Sequence, residues 1–243
     1  MKHFYKYTLL MCCQFSALYC FGQLDGTNYP QLEEVYNKII PYPQEVSSGG
    51  QYASGKSFHI EGTPYISSQD FVYGEITING QRFEHIILNY DVESDQLVTY
   101  HPNTYQRIIL DAKKVQSFTM ENNRSFASLD ANPGYIWHRN GYYEVLWDDE
   151  ICFLAKHYKI SKIKKDFGAD NKQFEFEHHQ HYFIRKGDQI HRINTKKDVA
   201  EVLGMPKKEI KRIIREKGLQ YKKNTPECLV AIADFYTNKF NKN

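Results

Sequence analysis

The 243-residue sequence predicts an α+β protein that is mainly β. We expect an antiparallel meander of about a dozen short strands, followed by three C-terminal helices. Three observations support this fold class. The central part alternates apolar and polar residues in short runs rich in tyrosine and phenylalanine, which favour strands. Gly-containing turn sequences separate these runs, and the last quarter changes to helical spacing. The sheet is expected to curl into an open barrel or to split into two packed sheets.

The N-terminal residues 1–22 have the pattern of a secretory signal peptide. Lys2 and Lys6 precede an uncharged apolar run, and Cys20 and Gly22 place small residues at positions −3 and −1 of a cleavage site. The run is too short to span a bilayer comfortably. The sequence therefore predicts export to the periplasm or the cell surface, with no transmembrane segment after cleavage. Acylation of Cys20 is the alternative, and the bulky residue before it argues against this.

The mature chain divides into three parts by composition. Residues 23–57 are expected to hold a short amphipathic helix, at 30–40, and a linker rich in Pro, Gly and Ser. Residues 58–193 form the predicted β domain, and the polar segment 121–134 is a candidate internal boundary. The part 194–243 is expected to be a helical element that packs on the sheet or closes one end of it.

Three turn sequences predict β-hairpins. Asn79 and Asn140 are each followed by glycine between alternating runs, and Asn-Gly suits the positive φ angles of a type I′ turn. For the second of these, we expect Tyr135–Arg139 to pair with Tyr142–Trp147. A third hairpin is predicted around Lys186-Gly-Asp.

Capping residues predict the three helices. The first begins at a capping box opened by Thr195 and ends at Leu203, with glycine after it. The second begins at Pro206 and ends near Gly218. The third is capped by Thr225, with proline at its first position.

Basic residues concentrate in the second of these helices. Acidic residues outnumber basic ones over 23–188, and the reverse holds over 189–243. In an exported protein, such a helix fits contact with lipopolysaccharide or anionic lipid phosphates. The alternative is a solvated helix that faces the acidic body of its own fold. The candidate contacts to an anionic surface are Lys207, Lys208, Lys211, Arg212 and Arg215.

The first two helices also resemble the helix-turn-helix of bacterial DNA-binding proteins over residues 198–218. Ala200 stands where that motif has a small residue, Gly204 stands in the turn, and Ile210 and Ile213 occupy packing positions. The resemblance implies DNA contacts by Lys207, Lys208, Lys211 and Arg212. A proline that opens the second helix departs from the motif. Because export would remove the protein from the chromosome, we expect a structural helix pair and no nucleic-acid partner.

A histidine cluster offers the main alternative chemistry. If it lies on a strand, His179 and His181 share one face and could bind Zn²⁺, with His157 or His191 as a third ligand. A metal-dependent periplasmic enzyme is therefore an alternative function. The cluster could equally be a polar hairpin tip. The sequence holds no HExxH, GxSxG or P-loop motif, so we expect no cofactor and favour a non-enzymatic protein.

Aromatic residues supply the last set of candidate contacts. Tyr135, Trp137, Tyr142 and Tyr143 are expected to be exposed and to bind a ligand or partner, since Tyr and Trp give large contact areas. Packing within the sheet is the alternative.

Several motifs together resemble the uncharacterised exported β-rich proteins of Gram-negative bacteria. The resemblance depends on the N-terminal segment, the start at Gln23-Leu24, and the runs YGEITINGQRF and LNYDVESDQLV. It implies export and carries no activity. The predicted function is thus an envelope protein that binds a lipid, a glycan or a protein partner. Cys152 and Cys228 remain after cleavage, either as a pair or as buried free thiols.

Overall fold

The computed structural model describes residues 43–53, 60–120, 123–166 and 172–240. The predicted signal peptide and the predicted helix at 30–40 lie outside these residues. Within the predicted linker, the described part forms a four-residue helix, α1 (Gln44–Ser47), and a two-residue strand, β1 (Gly50–Gln51).

Twelve strands of the described chain form one sheet that does not close. The predicted mainly β, antiparallel architecture is confirmed. The strands pair in the order β1-β6-β5-β4-β3-β7-β8-β9-β10-β11-β12, and β2 pairs with β11. All of these pairs are antiparallel except β2 with β11. The remaining strands are β2 (Ile60–Glu61), β3 (Val72–Ile78), β4 (Gln81–Asp91), β5 (Gln96–Tyr100), β6 (Arg107–Ile109), β7 (Val115–Met120), β8 (Arg124–Ser128), β9 (Tyr142–Trp147), β10 (Ile151–Asp166), β11 (Lys172–Lys186) and β12 (Gln189–Ile193).

Strands β10 and β11 are longer than the sequence predicts. They contain 16 and 15 residues and form one extended hairpin. Neither strand contains Gly or Pro, and the antiparallel register runs from Ile151–Lys186 to Asp166–Lys172 with one irregularity, between Ile163 and Lys165. This hairpin is the part of the sheet on which the histidines lie.

Two of the three predicted hairpins are confirmed. Asn79 and Gly80 have φ angles of 51° and 81°, and they connect β3 to β4 with Ile78 paired to Gln81. Positive φ at both residues is what a type I′ turn requires. The third hairpin joins β11 to β12, where Lys186 pairs with Gln189.

The hairpin predicted at Asn140 is wrong. Residues 135–139 form turns, with hydrogen bonds from Tyr135 N to Asn132 O and from His138 N to Tyr135 O. Strand β9 pairs instead with β8 and β10. The positive φ angles fall at Arg139 and Gly141, so the Asn-Gly pair does not form a type I′ turn. Strand β8 lies inside the segment 121–134 and joins β7 to β9, so that segment does not interrupt the sheet.

The three predicted C-terminal helices are confirmed. Helix α2 has the predicted capping box between Thr195 and Asp198, and Gly204 follows it in the left-handed conformation at φ 65°. A short connection through Pro206 leads to the second helix. The helices are α2 (Lys196–Leu203), α3 (Lys207–Glu216) and α4 (Thr225–Phe240).

The buried apolar residues form two main clusters. One lies between the three helices and strands β9 to β12, and it includes Phe153, Ile184 and Leu229. The other lies on β3 to β9 and is aromatic: the rings of Phe118 and Phe126 stack at 4.7 Å, and the rings of Tyr90 and Tyr142 meet them edge-on. The first cluster fixes the helices on the sheet, which leaves the opposite face of α3 in solvent.

Candidate functional site

Helices α2 and α3 form a packed pair. Ala200, Leu203, Ile210 and Ile213 are buried, and Gly204 lets the chain turn sharply between the helices. The positions that the helix-turn-helix resemblance assigns to packing are thus the positions that pack. Amphipathic spacing alone would produce the same burial, so the observation establishes the pair and not a DNA-binding role.

The five predicted basic contacts are all exposed on α3, but they are not equivalent. Arg212 Nη2 lies 3.4 Å from Glu209 Oε1, and Arg212 Nε lies 3.8 Å from Glu216 Oε1. The Arg212 guanidinium also lies 5.7 Å from the ring centroid of Phe235 on α4. Arg212 therefore belongs to the contacts between α3 and α4.

The other four residues, Lys207, Lys208, Lys211 and Arg215, are here called the basic face. Among the described residues, no carboxylate oxygen lies within 4.0 Å of the side-chain nitrogens of these four residues. Exposed cations without acidic partners keep their charge available to a ligand. The basic face is thus solvated, as both the anionic-contact prediction and the solvated-helix alternative require.

A pocket of about 360 Å³ opens beside the basic face. Lys196 of α2 lines it together with Lys211 and Arg215 of α3. None of its lining residues is acidic, and Ile214 and Leu219 supply apolar wall. Its volume is at the lower end of the range for small-molecule sites. We call it the basic pocket.

A second pocket, of about 520 Å³, shares Leu219 with the lining of the first. Its lining is mostly apolar and includes Trp147 of β9 with Val230 and Ala231 of α4. Lys217, Glu227 and Asp234 also line it. We call it the apolar pocket.

Two of the four aromatic residues predicted as exposed contacts are buried. Tyr142 and Tyr143 are 0% exposed, so the expectation is wrong for both. They lie at the start of β9, where Tyr142 packs in the aromatic cluster and the hydroxyl of Tyr143 bonds to Asn132 and His138. Alternation along a strand predicts that one of two adjacent residues is exposed. That prediction fails at Tyr142 and Tyr143 because both faces of the sheet are covered at this point.

The other two, Tyr135 and Trp137, are half-buried in the turn before β9. Trp137 stacks on Tyr158 with ring centroids 4.3 Å apart, and the Arg139 guanidinium lies 4.8 Å from its centroid. The hydroxyl of Tyr135 lies 2.8 Å from His181 Nδ1. These rings are therefore engaged within the protein, which leaves little area for a ligand.

The histidine cluster lies in the middle of β11, not at a hairpin tip. His179 stacks on Tyr158, and His181 lies between the hydroxyls of Tyr135 and Tyr158. The described chain contains no group of three His, Cys, Asp or Glu side chains that could hold a metal ion. His179 Nε2 also lies 3.7 Å from Glu177 Oε2, and the other neighbours of His179 and His181 named here are aromatic rings and hydroxyls.

A polar chain that the sequence analysis missed crosses four strands. Arg124 donates two hydrogen bonds to the Glu144 carboxylate, at 2.7 and 3.0 Å. Glu144 Oε2 lies 2.6 Å from His157 Nε2, and His157 Nδ1 lies 3.1 Å from His178 Nε2. Because a carboxylate only accepts, the neutral His157 ring carries its proton on Nε2 and accepts from His178. The four residues of this polar chain lie far apart in sequence. Their contacts could therefore be predicted only from the strand register.

Titration properties follow from the burial of these groups. Burial raises the pKa of Glu144, but hydrogen bonds from His157 and Arg124 outweigh it and hold the pKa at about 2. Burial lowers the pKa of His157, and burial with the neighbouring His157 lowers the pKa of His178 to about 4. Burial also lowers the pKa of His181 to about 4. His157, His178 and His181 are therefore neutral at pH 7.

The remaining observations concern cysteines, membrane spans and relatives. Cys152 and Cys228 are both free and buried, in different clusters of the core.

Among the described helices, none combines the length and apolarity needed to cross a bilayer. Comparison with protein-family models, curated proteins and solved structures finds no match to this chain.

Proposed function

We propose that this chain is an exported, non-enzymatic protein that docks on the phosphate-bearing anionic surface of the cell envelope through its basic face. The observation that carries the proposal is the exposure of Lys207, Lys208, Lys211 and Arg215 without acidic partners among the described residues. The N-terminal segment supports the envelope as the location, since it has the pattern of a signal peptide.

The charge of the basic face is large enough to matter. Each basic side chain near an anionic membrane contributes about 1 kcal/mol, so four of them correspond to about a thousandfold in affinity. The attraction decays within a Debye length, about 8 Å at physiological ionic strength. Binding should therefore weaken steeply as salt is added.

The aromatic contact surface is the weaker route to an envelope ligand. Tyr142 and Tyr143 are buried, and the rings of Tyr135 and Trp137 contact neighbouring side chains. A glycan that stacks on aromatic rings needs free ring faces. Electrostatic docking is favoured for this reason.

Nucleic acid is the competing anionic partner. The packed pair of α2 and α3 has helix-turn-helix spacing, and the same cations would meet DNA phosphates. Export favours the envelope over the chromosome. A direct comparison of vesicles and DNA separates the two.

The experiment measures co-sedimentation of the chain from Gln23 onward with lipid vesicles. Binding is expected to equimolar phosphatidylcholine–phosphatidylglycerol vesicles and not to pure phosphatidylcholine, with loss at high salt. Tighter binding to a random-sequence DNA duplex than to the anionic vesicles would replace the envelope proposal with a nucleic-acid one. Equal binding to both vesicle types would remove the electrostatic basis.

A matched pair of triple variants tests the basic face itself. Lys207→Gln/Lys208→Gln/Lys211→Gln should weaken vesicle binding about a hundredfold. Lys113→Gln/Lys114→Gln/Lys186→Gln removes the same charge from exposed positions elsewhere and should change binding less than about threefold. Equal losses in the two variants would show that overall charge, and not α3, governs docking.

A further inference from the structure

The basic pocket gathers three cations from two helices. Lys196 is the first residue of α2, whereas Lys211 and Arg215 stand one turn apart on the same side of α3. With no acid in the lining, the pocket presents a concentrated positive charge to one small group. An arginine beside lysines is the donor set that phosphate oxygens prefer, since guanidinium can bind two oxygens at once.

Leu219 lines the apolar pocket as well as the basic pocket. The apolar part of the second wall includes Trp147, Val230 and Ala231, and charged residues complete it. An inorganic anion or a soluble sugar phosphate would leave this apolar surface exposed to water. A ligand with a hydrocarbon chain next to its phosphate would cover it.

We infer that the three-helix unit binds one molecule of an anionic amphiphile, with its phosphate in the basic pocket and a hydrocarbon chain in the apolar pocket. The ligand class is a phospholipid whose headgroup carries net negative charge. This inference rests on the proposed function and adds a defined lipid site to it.

The residues of the basic face then have two different roles, headgroup binding and long-range attraction. Lys211 and Arg215 line the pocket and hold the bound headgroup, whereas Lys207 and Lys208 do not line it. Lys207 and Lys208 therefore contribute only long-range attraction to a charged surface. Monomeric lipid has no surface potential, so its binding should depend on the first pair and not on the second.

The experiment is calorimetry with ligands that remain monomeric. Dihexanoyl-phosphatidylglycerol, below its micellar concentration, should bind about tenfold tighter than glycerophosphoglycerol, which has the same singly charged phosphodiester without the chains, because burial of two methylene groups accounts for a factor of this size. Dihexanoyl-phosphatidylcholine has the same chains without net charge and should bind about tenfold more weakly than the phosphatidylglycerol. Equal affinity for glycerophosphoglycerol and the short-chain lipid would overturn the hydrocarbon part of the site.

Two double variants with equal net charge test the headgroup position. Lys211→Gln/Arg215→Gln should weaken dihexanoyl-phosphatidylglycerol at least about tenfold, and Lys207→Gln/Lys208→Gln should leave it within about twofold. All four positions are exposed, so neither variant disturbs the core. Equal effects of the two variants would rule out the basic pocket as the headgroup site.

A charge placed in the apolar pocket tests the chain position. Val230→Asp should abolish the advantage of the short-chain lipid over glycerophosphoglycerol, because the carboxylate would lie against hydrocarbon. Thr237→Asp adds the same charge on α4 outside the lining and serves as the control. Circular dichroism of both variants verifies that α4 forms, and equal lipid binding by the two folded variants would refute the chain site.

Failure of this inference is distinguishable from failure of the proposed function. If the chain binds anionic vesicles but no monomeric lipid, docking is electrostatic only and the lipid site is excluded. If it binds neither, both proposals fall.

Discussion

The Lys156 ammonium lies 2.7 Å from each carboxylate oxygen of Asp95, although 61 residues separate them and both side chains are only 1% exposed. The backbone amides of Asn140 and Gly141 donate to Oδ2 of the same carboxylate, and the Tyr90 hydroxyl donates to Oδ1. Burial lowers the pKa of Lys156, and the Asp95 carboxylate opposes this by favouring the charged form. The pair joins the β4–β5 turn to β10 and to the turn before β9.

Removal of one charge from this pair should be strongly destabilising. Lys156→Met leaves the Asp95 carboxylate buried and uncompensated, so the free energy of unfolding should fall by about 3–5 kcal/mol. Asp95→Asn/Lys156→Met, which removes both charges, should cost less than the sum of the two single changes. Urea denaturation of the four proteins measures these differences. Additive losses would mean that the two side chains are not coupled.

Two buried tyrosines should respond in opposite ways to loss of the hydroxyl. Tyr90→Phe removes the hydrogen bond to Asp95 and should cost about 1–3 kcal/mol. The hydroxyl of Tyr142 is buried without a hydrogen-bond partner in the described structure, so Tyr142→Phe should be neutral or stabilising. Thermal unfolding compares them directly. A larger loss for Tyr142→Phe would contradict the predicted order.

A side chain at Gly141 should be poorly tolerated. Its φ is 82°, and a Cβ there would lie 2.3 Å from the carbonyl oxygen of Leu129. Gly141→Ala should therefore destabilise the fold by about 3 kcal/mol, the upper end of the cost of a strained backbone position. Gly134→Ala is the control, since its φ is 78° but open space surrounds it, and it should cost about 1–2 kcal/mol. Similar unfolding midpoints for the two variants would argue against the close approach.

Stability should fall as the pH falls from 6.5 towards 4. His178 and His181 have pKa values of about 4 in the folded protein against 6.5 ordinarily, so in this window the unfolded chain binds more protons. The pKa of Glu144 is about 2 in the folded protein against 4.5 ordinarily. Below pH 4.5 the unfolded chain therefore again binds more protons, and stability continues to fall. Denaturant midpoints across this pH range measure the effect.

The variant His178→Gln should make this pH dependence shallower, because it removes one of the shifted groups. An unchanged profile in His178→Gln would show that the effect arises elsewhere.

The two cysteines should be inert in the folded protein. Cys152 and Cys228 are buried, and burial raises the pKa of both thiols, which suppresses the reactive thiolate. A thiol reagent such as Ellman's reagent should label them only after denaturation. Rapid labelling of the native protein, or a missing thiol after denaturation, would contradict two free buried cysteines.

Local sequence predicts those parts of the fold that local energetics decides. The turn at Asn79 and the capping box at Thr195 are set by φ preferences and short-range hydrogen bonds, and both form as predicted. At Asn140 the same turn signal fails because its backbone amide and its side chain bond to Asp95, which lies 45 residues away. A distant carboxylate decides that turn, and no local pattern reveals it.

In the candidate site, too, some features could be predicted from local sequence and others depend on tertiary packing. The exposure of Lys207 and Lys211 follows from helical spacing and could be predicted. The packing of the helices decides two other features. Arg212 pairs with Glu209 beside α4, and Leu219 lines both pockets. The burial of Tyr143 depends on coverage of both faces of the sheet.

The parallel pairing of β2 with β11 joins parts of the chain that are more than 100 residues apart. Ile60 aligns with Phe174, and Lys164 on β10 bonds to Glu61, 103 residues earlier. Lys159 also donates to the carbonyl oxygens of Thr63 and Tyr65. An early segment is thus held by strands made much later, and loop closure over such a distance is slow. Because synthesis runs from the N-terminus, this segment stays unpaired until the long β10–β11 hairpin has been made.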